Sequence, residues 1–441
     1  MTRAGGATSV RARRGPRERA VVAARWRSSF DGILERASVR WWVVPLAIWL
    51  LGRAITTVFL VVGARRQIPM VESSPGYTVH FPTVGDPGYW VATTNWDGQW
   101  YKQIALHGYP STLPIVNGSV AQNEWAFYPL YPGMCRALME VTGLPFEVVA
   151  PLLSTVLGGI AVVLLYRLLL VGAGRFVAAA TVLCLTVFPA SPVLQVAYTE
   201  SLALLLIVLV MWALRSRRYL LVLALCVPLS LTRGIAPAMA ICMGVYWILR
   251  WWHRREDPFE RLEMIRVAGL TLAVGALAGL WPFIVGLATG TPDGFMETQR
   301  AWRVNQDRAI LNNWWSRIDD YYGPVVATVV MLAILPLLVV LFRRATRVWG
   351  PELRAWAFAY TVFLLLVTSP GSSTIRFLVL VLAPMWPFPD RIPTGPQARA
   401  AHRRRVWALG VVCVLWLVLQ YVAVTEVFTI PIEPGNGRPY P

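Results

Sequence analysis

Apolar runs long enough, or nearly long enough, to cross a bilayer recur along almost the whole chain. A hydrocarbon core about 30 Å thick takes roughly 20 apolar residues as a helix. The first run covers 41–62. Ten more follow at 148–170, 176–189, 198–214, 220–231, 235–251, 267–288, 324–342, 355–367, 377–386 and 406–425, which makes eleven expected spans. Several are short for a perpendicular helix. Short spans fit beside a cavity, where unwound backbone can be hydrated. The expected fold class is an all-α polytopic membrane protein.

Composition agrees. The 441 residues are 56% hydrophobic and 15% charged, against roughly 25% charged in soluble domains. That excludes an ordinary soluble globular protein and a wholly disordered one. The net charge of +18 would by itself suggest nucleic acid. A DNA-binding domain does not need bilayer-length runs, so no nucleic-acid partner is expected.

The charge reads instead as topology. Residues 1–40 hold ten Arg and no long apolar run. A secretory signal would follow its short basic segment with an apolar region. This stretch is expected to be a disordered cytoplasmic tail, and the first span then runs outward. With eleven spans, Arg215/Arg217/Arg218, Arg254/Arg255, Arg343/Arg344/Arg347 and Arg403/Arg404/Arg405 all fall on the cytoplasmic side. Four clusters in phase support the count, because a wrong one would scatter them. Cytoplasmic segments hold 29 of the 41 Lys+Arg and 9 of the 23 acids, so the outer segments are slightly acidic. Those are 63–146, 190–197, 289–323, 368–376 and a tail at 427–441, flanking one membrane domain at 41–426. No internal repeat or inverted symmetry is visible.

The five cysteines show no CxxC spacing and read as small buried hydrophobes. The four histidines lack metal-ligand spacing. Asp319/Asp320 read as an exposed loop rather than a metal site. No metal and no cofactor are expected.

Four outer segments carry the chemistry. The first runs Asn95-Trp96-Asp97-Gly98-Gln99-Trp100-Tyr101-Lys102 onward to His107. A short amphipathic helix is expected over 99–107, with Trp100, Ile104 and His107 on one face. Asp97 precedes it, either as a cap or as a reactive carboxylate, and Gly98 permits close approach. The second, Asn123 to Pro132, holds Glu124, Phe127, Tyr128 and Tyr131. Such residues either pack at the membrane interface or form a wall for a sugar or lipid. The third is Tyr198-Thr199-Glu200-Ser201, where Glu200 caps an apolar helix or serves function. The fourth is a pair of arginines in apolar surroundings, Arg233 and Arg376. They snorkel to headgroups or clamp a phosphate. The loop with Gln299 and Trp302 adds polar and aromatic groups on the same side. Aromatic rings pack on sugars, arginines hold phosphate, and a carboxylate can deprotonate a hydroxyl. Together these point to glycosyl transfer from a lipid-phosphate sugar.

At these residues the sequence resembles the PIG-V family of mannosyltransferases, within the GT-C superfamily. The resemblance rests on Trp96-Asp97-Gly98-Gln99-Trp100-Tyr101 and Ala126-Phe127-Tyr128-Pro129-Leu130-Tyr131-Pro132. Tyr198-Thr199-Glu200-Ser201, Leu231-Thr232-Arg233 and Ser373-Thr374-Ile375-Arg376-Phe377 add to it in the family's order, within about 41–390. It implies a GT-C fold, a polyprenyl-phosphate-mannose donor, inverting transfer and Asp97 as base. Arg233 and Arg376 would then hold the donor phosphate. Trp96, Gln99, Trp100, Tyr101, Glu124, Tyr128, Tyr131, Glu200, Gln299 and Trp302 would line the substrate site. Lys102 is the only lysine, a bias that looks like a high-GC, actinobacterial source. The expected acceptor is therefore a cell-envelope glycolipid, polysaccharide or protein outside a bacterial plasma membrane. Two alternatives stand beside this: a lipid-linked-sugar flippase without chemistry, and the same fold with another sugar such as arabinose. A flippase should show repeats and acids at the midplane, and neither is visible.

Overall fold

The computed structural model describes residues 41–73, 78–302, 312–368, 370–389 and 398–431. The basic tail 1–40 and residues 432–441 lie outside it. The described chain is built of helices, with one two-residue hairpin, β1 (115–116) antiparallel to β2 (119–120).

In chain order the helices are α1 (Val43–Arg65), α2 (Gly88–Ala92), α3 (Asp97–His107), α4 (Leu130–Thr142), α5 (Phe146–Ala173), α6 (Arg175–Val187), α7 (Glu200–Arg215), α8 (Tyr219–Ser230) and α9 (Ala236–Trp252). There follow α10 (Arg261–Ala276), α11 (Leu280–Thr289), α12 (Gly294–Trp302), α13 (Asn312–Tyr322), α14 (Pro324–Val340), α15 (Pro351–Val367), α16 (Ser372–Phe377) and α17 (Ala398–Val422). Among the described residues, four helical stretches are long and apolar enough to cross a membrane. They are α1, α5, the α10–α11 stretch and α17 with its π-helical end, 423–428.

Ten of the expected spans fall on helix, one of them interrupted, and the remaining one does not. Over 267–288, a 3₁₀ turn at Leu277–Gly279 divides α10 from α11. Pro282 lies in the first turn of α11, where its missing N–H is tolerated. The expected span 377–386 is not one helix. After α16 the chain makes 3₁₀ turns at Leu378–Val381 and Ala383–Met385, with Leu382 at φ 69° between them. Pro384 and Pro387 lack the N–H groups a continuous helix needs there.

Small residues set the packing. Without a hydrophobic force between helices in lipid, close van der Waals fit must hold them. A Cβ on Gly158 or Gly159 of α5 would come within 2.9 Å of the buried Trp49 ring on α1. Arg53, also on α1, is buried and carries no carboxylate partner in these contacts. It donates to the carbonyls of Thr186 and Ser191 (2.9 Å each) at the end of α6. Gln420 of α17 joins there, donating to Ser191 Oγ (2.7 Å). Three helices thus fasten the 188–199 turn.

α7 separates two charged clusters. At about 1.5 Å per residue its 16 residues place Glu200 roughly 22 Å from Arg215. α9 and α15 run between the same two ends: Arg233 precedes α9 and Arg250 closes it, while Glu352 opens α15 and Arg376 follows it. The 63–146 stretch contributes α2, α3 and α4 to the Glu200 end. Within 289–323, α12 and α13 form, so Asp319 and Asp320 sit on a helix rather than the expected loop.

Candidate active site

Helix α3 starts at Asp97, two residues earlier than its amphipathic pattern implies. Trp100 and Ile104 are buried as expected, whereas His107 is exposed in the last turn. The helix start carries no side-chain cap. Asp97 Oδ2 instead lies 2.8 Å from Arg376 Nη1. Gly98 faces Ala197 at van der Waals distance, with Thr94 beside it. The Ala197 N–H donates to the Thr93 carbonyl (3.0 Å), which draws the α3 segment against the turn before α7.

Glu200 opens α7 and is 1% exposed. It does not cap that helix either. Its Oε1 accepts from Arg233 Nη1 (2.7 Å) and lies 3.9 Å from Arg376 Nε. Arg233 also donates to Thr199 Oγ1 (3.2 Å). Four segments far apart in sequence therefore meet in a chain of alternating charge: Asp97, Arg376, Glu200, Arg233. Both guanidinium side chains are mostly covered, so neither snorkels. Aromatic faces complete the enclosure. Arg376 lies 5.1 Å from the Tyr198 ring centre and 5.2 Å from that of Phe377, and Arg233 lies 4.8 Å from Phe377.

The charge balance fixes the protonation of Arg376. Burial opposes its charge, but Asp97 and Glu200 outweigh that and raise its pKa. Its Nε and Nη1 nevertheless make no aligned hydrogen bond. The contact with Asp97 is an ion pair by distance. That leaves donor capacity on a covered guanidinium, which is what binding an oxyanion uses. Tyr101 is buried beside this group, and burial followed by the Asp97 charge raises its phenol pKa. It stays a neutral donor, reaching Thr199 Oγ1 at 3.5 Å.

The remaining residues divide by place. Trp100 stacks on Phe127 (5.5 Å), and Trp302 meets both edge-on, at 5.0 and 5.3 Å. Gln299 Nε2 reaches the Ala126 carbonyl at 3.5 Å. Tyr128 lies against the turn holding Arg233: a Cβ on Gly234 would stand 2.9 Å from its hydroxyl. Glu124 begins a 3₁₀ turn and is half-buried. Three residues spend their polar atoms on the scaffold. Gln99 Oε1 accepts from the His80 N–H (2.9 Å), the Tyr131 hydroxyl donates to the Ala150 carbonyl (2.9 Å), and Trp96 Nε1 donates to the Phe428 carbonyl (2.7 Å).

Sequence reasoning passed over Thr199, Tyr198 and Phe377 as site members, although each adjoins a residue it singled out. It also passed over His80, whose ring meets Trp100 edge-on at 4.2 Å; no local pattern marks it. Among the described residues, no group of three or more His, Cys, Asp or Glu could hold a metal ion.

No family model matches the chain, and no curated relative matches it. One solved structure with a likeness to it is ArnT from Cupriavidus metallidurans bound to undecaprenyl phosphate. The two are 15% identical, the match covers 88% of this chain and 75% of that one, and the TM-score is 0.48.

Proposed function

We propose that this protein is an inverting glycosyltransferase of GT-C type, moving mannose from a polyprenyl-phosphate-mannose donor to a cell-envelope acceptor on the extracytoplasmic side. The observation that carries this reading is the meeting of Asp97, Arg376, Glu200 and Arg233 at one end of the helix bundle.

In the proposed reaction Asp97 takes the proton of the acceptor hydroxyl. That oxygen bonds to the anomeric carbon as the carbon–oxygen bond to phosphate breaks. The electron pair leaves with the phosphate, and the configuration inverts. The donor phosphodiester carries one negative charge and the departing polyprenyl phosphate tends to two. Asp97 becomes neutral in the same step, so Arg376 loses one negative partner as the other gains charge. Local net charge is conserved throughout. Sharing one guanidinium between base and leaving group makes that transfer direct. Stabilisation of developing charge by fixed donors in a dry site is commonly the largest catalytic contribution. Glu200 holds the two arginines together.

The test is purified protein in proteoliposomes with labelled polyprenyl-phosphate mannose and a cell-envelope acceptor fraction. The expected result is label in the acceptor with equimolar release of polyprenyl phosphate. Label crossing the bilayer while still lipid-linked would replace this reading with a flippase. Transfer from polyprenyl-phosphate arabinose alone would change the sugar.

A further inference from the structure

Trp96 immediately precedes Asp97 and has φ 58° and ψ −120°. That backbone region is close to glycine-only, and a bulky residue stays there only when its surroundings compel it. The compelling contacts come from the other end of the chain. The last helix loosens into a π-helical turn over 423–428 and turns extended at Thr429, and residues 426–430 form a terminal strap. Within that strap the Phe428 carbonyl accepts from Trp96 Nε1 at 2.7 Å and from Asn95 Nδ2 at 3.5 Å. The Ile430 carbonyl accepts from the Ile68 N–H at 3.0 Å. Glu426 pairs with Arg66 at 3.1 Å. Thr429 packs onto Gly63, where a Cβ would come within 2.8 Å of its side chain. Asn95 also donates to Gln67 Oε1 (2.8 Å), and both of these side chains are buried. Ile430 and Met70 form a small apolar cluster with Ile68, Val79 and Trp96.

These contacts close around one point. The strap grips the segment after α1 and the two residues before Asp97, and no strap residue belongs to the charged group. We infer that residues 426–430 hold Trp96 in its strained backbone and so aim the Asp97 carboxylate. Trp96 is then a positioning residue acting through Asp97, and the strap is part of the site's scaffold. The inference rests on Asp97 being the base, as proposed above.

The strap is tested by two full-membrane-domain variants. Trp96→Phe keeps an aromatic ring, though a smaller one, and deletes the N–H donor. Deletion of 426–441 removes the strap. Amide hydrogen exchange in detergent is read at 95–101 beside mannosyl transfer kinetics. Both variants are expected to speed exchange at 95–101 by about tenfold or more, with α5 and α7 unaffected. Turnover is expected to fall by about a hundredfold with donor KM unchanged, because misplacement of a reacting group by about 1 Å costs that much. Faster exchange in both variants of a protein that shows no transfer at all would uphold the strap and remove the transferase reading. Unchanged exchange at 95–101, or faster exchange with unaltered turnover in an active enzyme, would overturn the inference.

Discussion

The two charged ends of the bundle use arginine differently. At the Arg215 end, two of the guanidinium groups, those of Arg215 and Arg250, are anchored to backbone carbonyls as well as to carboxylates. Arg215 donates to the Trp349 carbonyl (2.7 Å), to the Leu168 carbonyl and to Glu352 (2.5 Å). Arg250 donates to the Pro258 carbonyl and the Tyr246 hydroxyl (3.1 Å each) and faces Asp257 and Glu263. Arg217 pairs with Asp257, and Arg347 with Glu256 at 3.5 Å. A carbonyl cannot leave, so Arg215 stays fixed to the 343–352 turn, while ion pairs from Arg217 to Asp257 and from Arg347 to Glu256 add the 253–263 turn. At the Asp97 end, the partners of Arg376 and Arg233 are side chains and aromatic faces. A carboxylate can be protonated or yield its place to another anion. One end is thus built to stay put, and the other is built to exchange partners. The basic clusters that sequence reading assigned to topology gather at the first end, and the candidate chemistry at the second.

The largest effect that could break this comparison is at Arg376. Replacing it with Gln leaves Asp97 and Glu200 near each other without their shared cation. Turnover is expected to fall by about 10²–10³-fold, the cost of losing one stabilising donor. Lys at 376 should restore only part of it, since a point charge cannot span two anions as a planar fork does. Turnover measured per folded molecule checks both. Near-normal rates in Arg376→Gln would mean the two ends do not differ as described.

At the other end Glu352→Gln should spare turnover per folded molecule and lower stability. Glu352 is 1% exposed, and removing one partner of a buried pair costs about 3–5 kcal/mol. Thermal unfolding in detergent should show a lower midpoint. A catalytic loss without a stability loss would erase the distinction.

The smallest effect concerns pH. Burial lowers the His80 pKa from its ordinary 6.5, partly offset by Glu124. The folded state then binds fewer protons than the unfolded one below that value. Stability from this group is complete above pH 6.5 and declines as pH falls below it. The protection factor for amide exchange at 78–83, taken relative to the intrinsic rate at each pH, should therefore fall a few-fold between pH 7.5 and 5.5, and His80→Phe should flatten that dependence.

Much of this was legible because charge is costly in apolar sequence. Asp97, Glu200, Arg233 and Arg376 each stand out against their neighbours, and so do the basic clusters between runs. Which carboxylate meets which arginine was not legible, since Asp97 and Arg376 are brought together only by the tertiary fold. Nor could local pattern foresee the Trp96–Phe428 contact, because nothing about tryptophan favours a left-handed backbone. The bent 377–386 segment was half-legible: its apolar residues promised a span, while Pro384 and Pro387 already forbade a straight one. Tyr131 and Gln99 read as substrate-site residues; that the Tyr131 hydroxyl reaches the Ala150 carbonyl and Gln99 Oε1 the His80 N–H had no local signal.

The central claim is that the exchangeable end does chemistry through Asp97. Asp97→Asn preserves shape while removing the base and its charge. Reconstituted with polyprenyl-phosphate mannose, the variant should bind donor as the unaltered protein does, and its turnover should drop by about 10²–10⁴-fold. Undiminished turnover in well-folded Asp97→Asn protein would contradict the account.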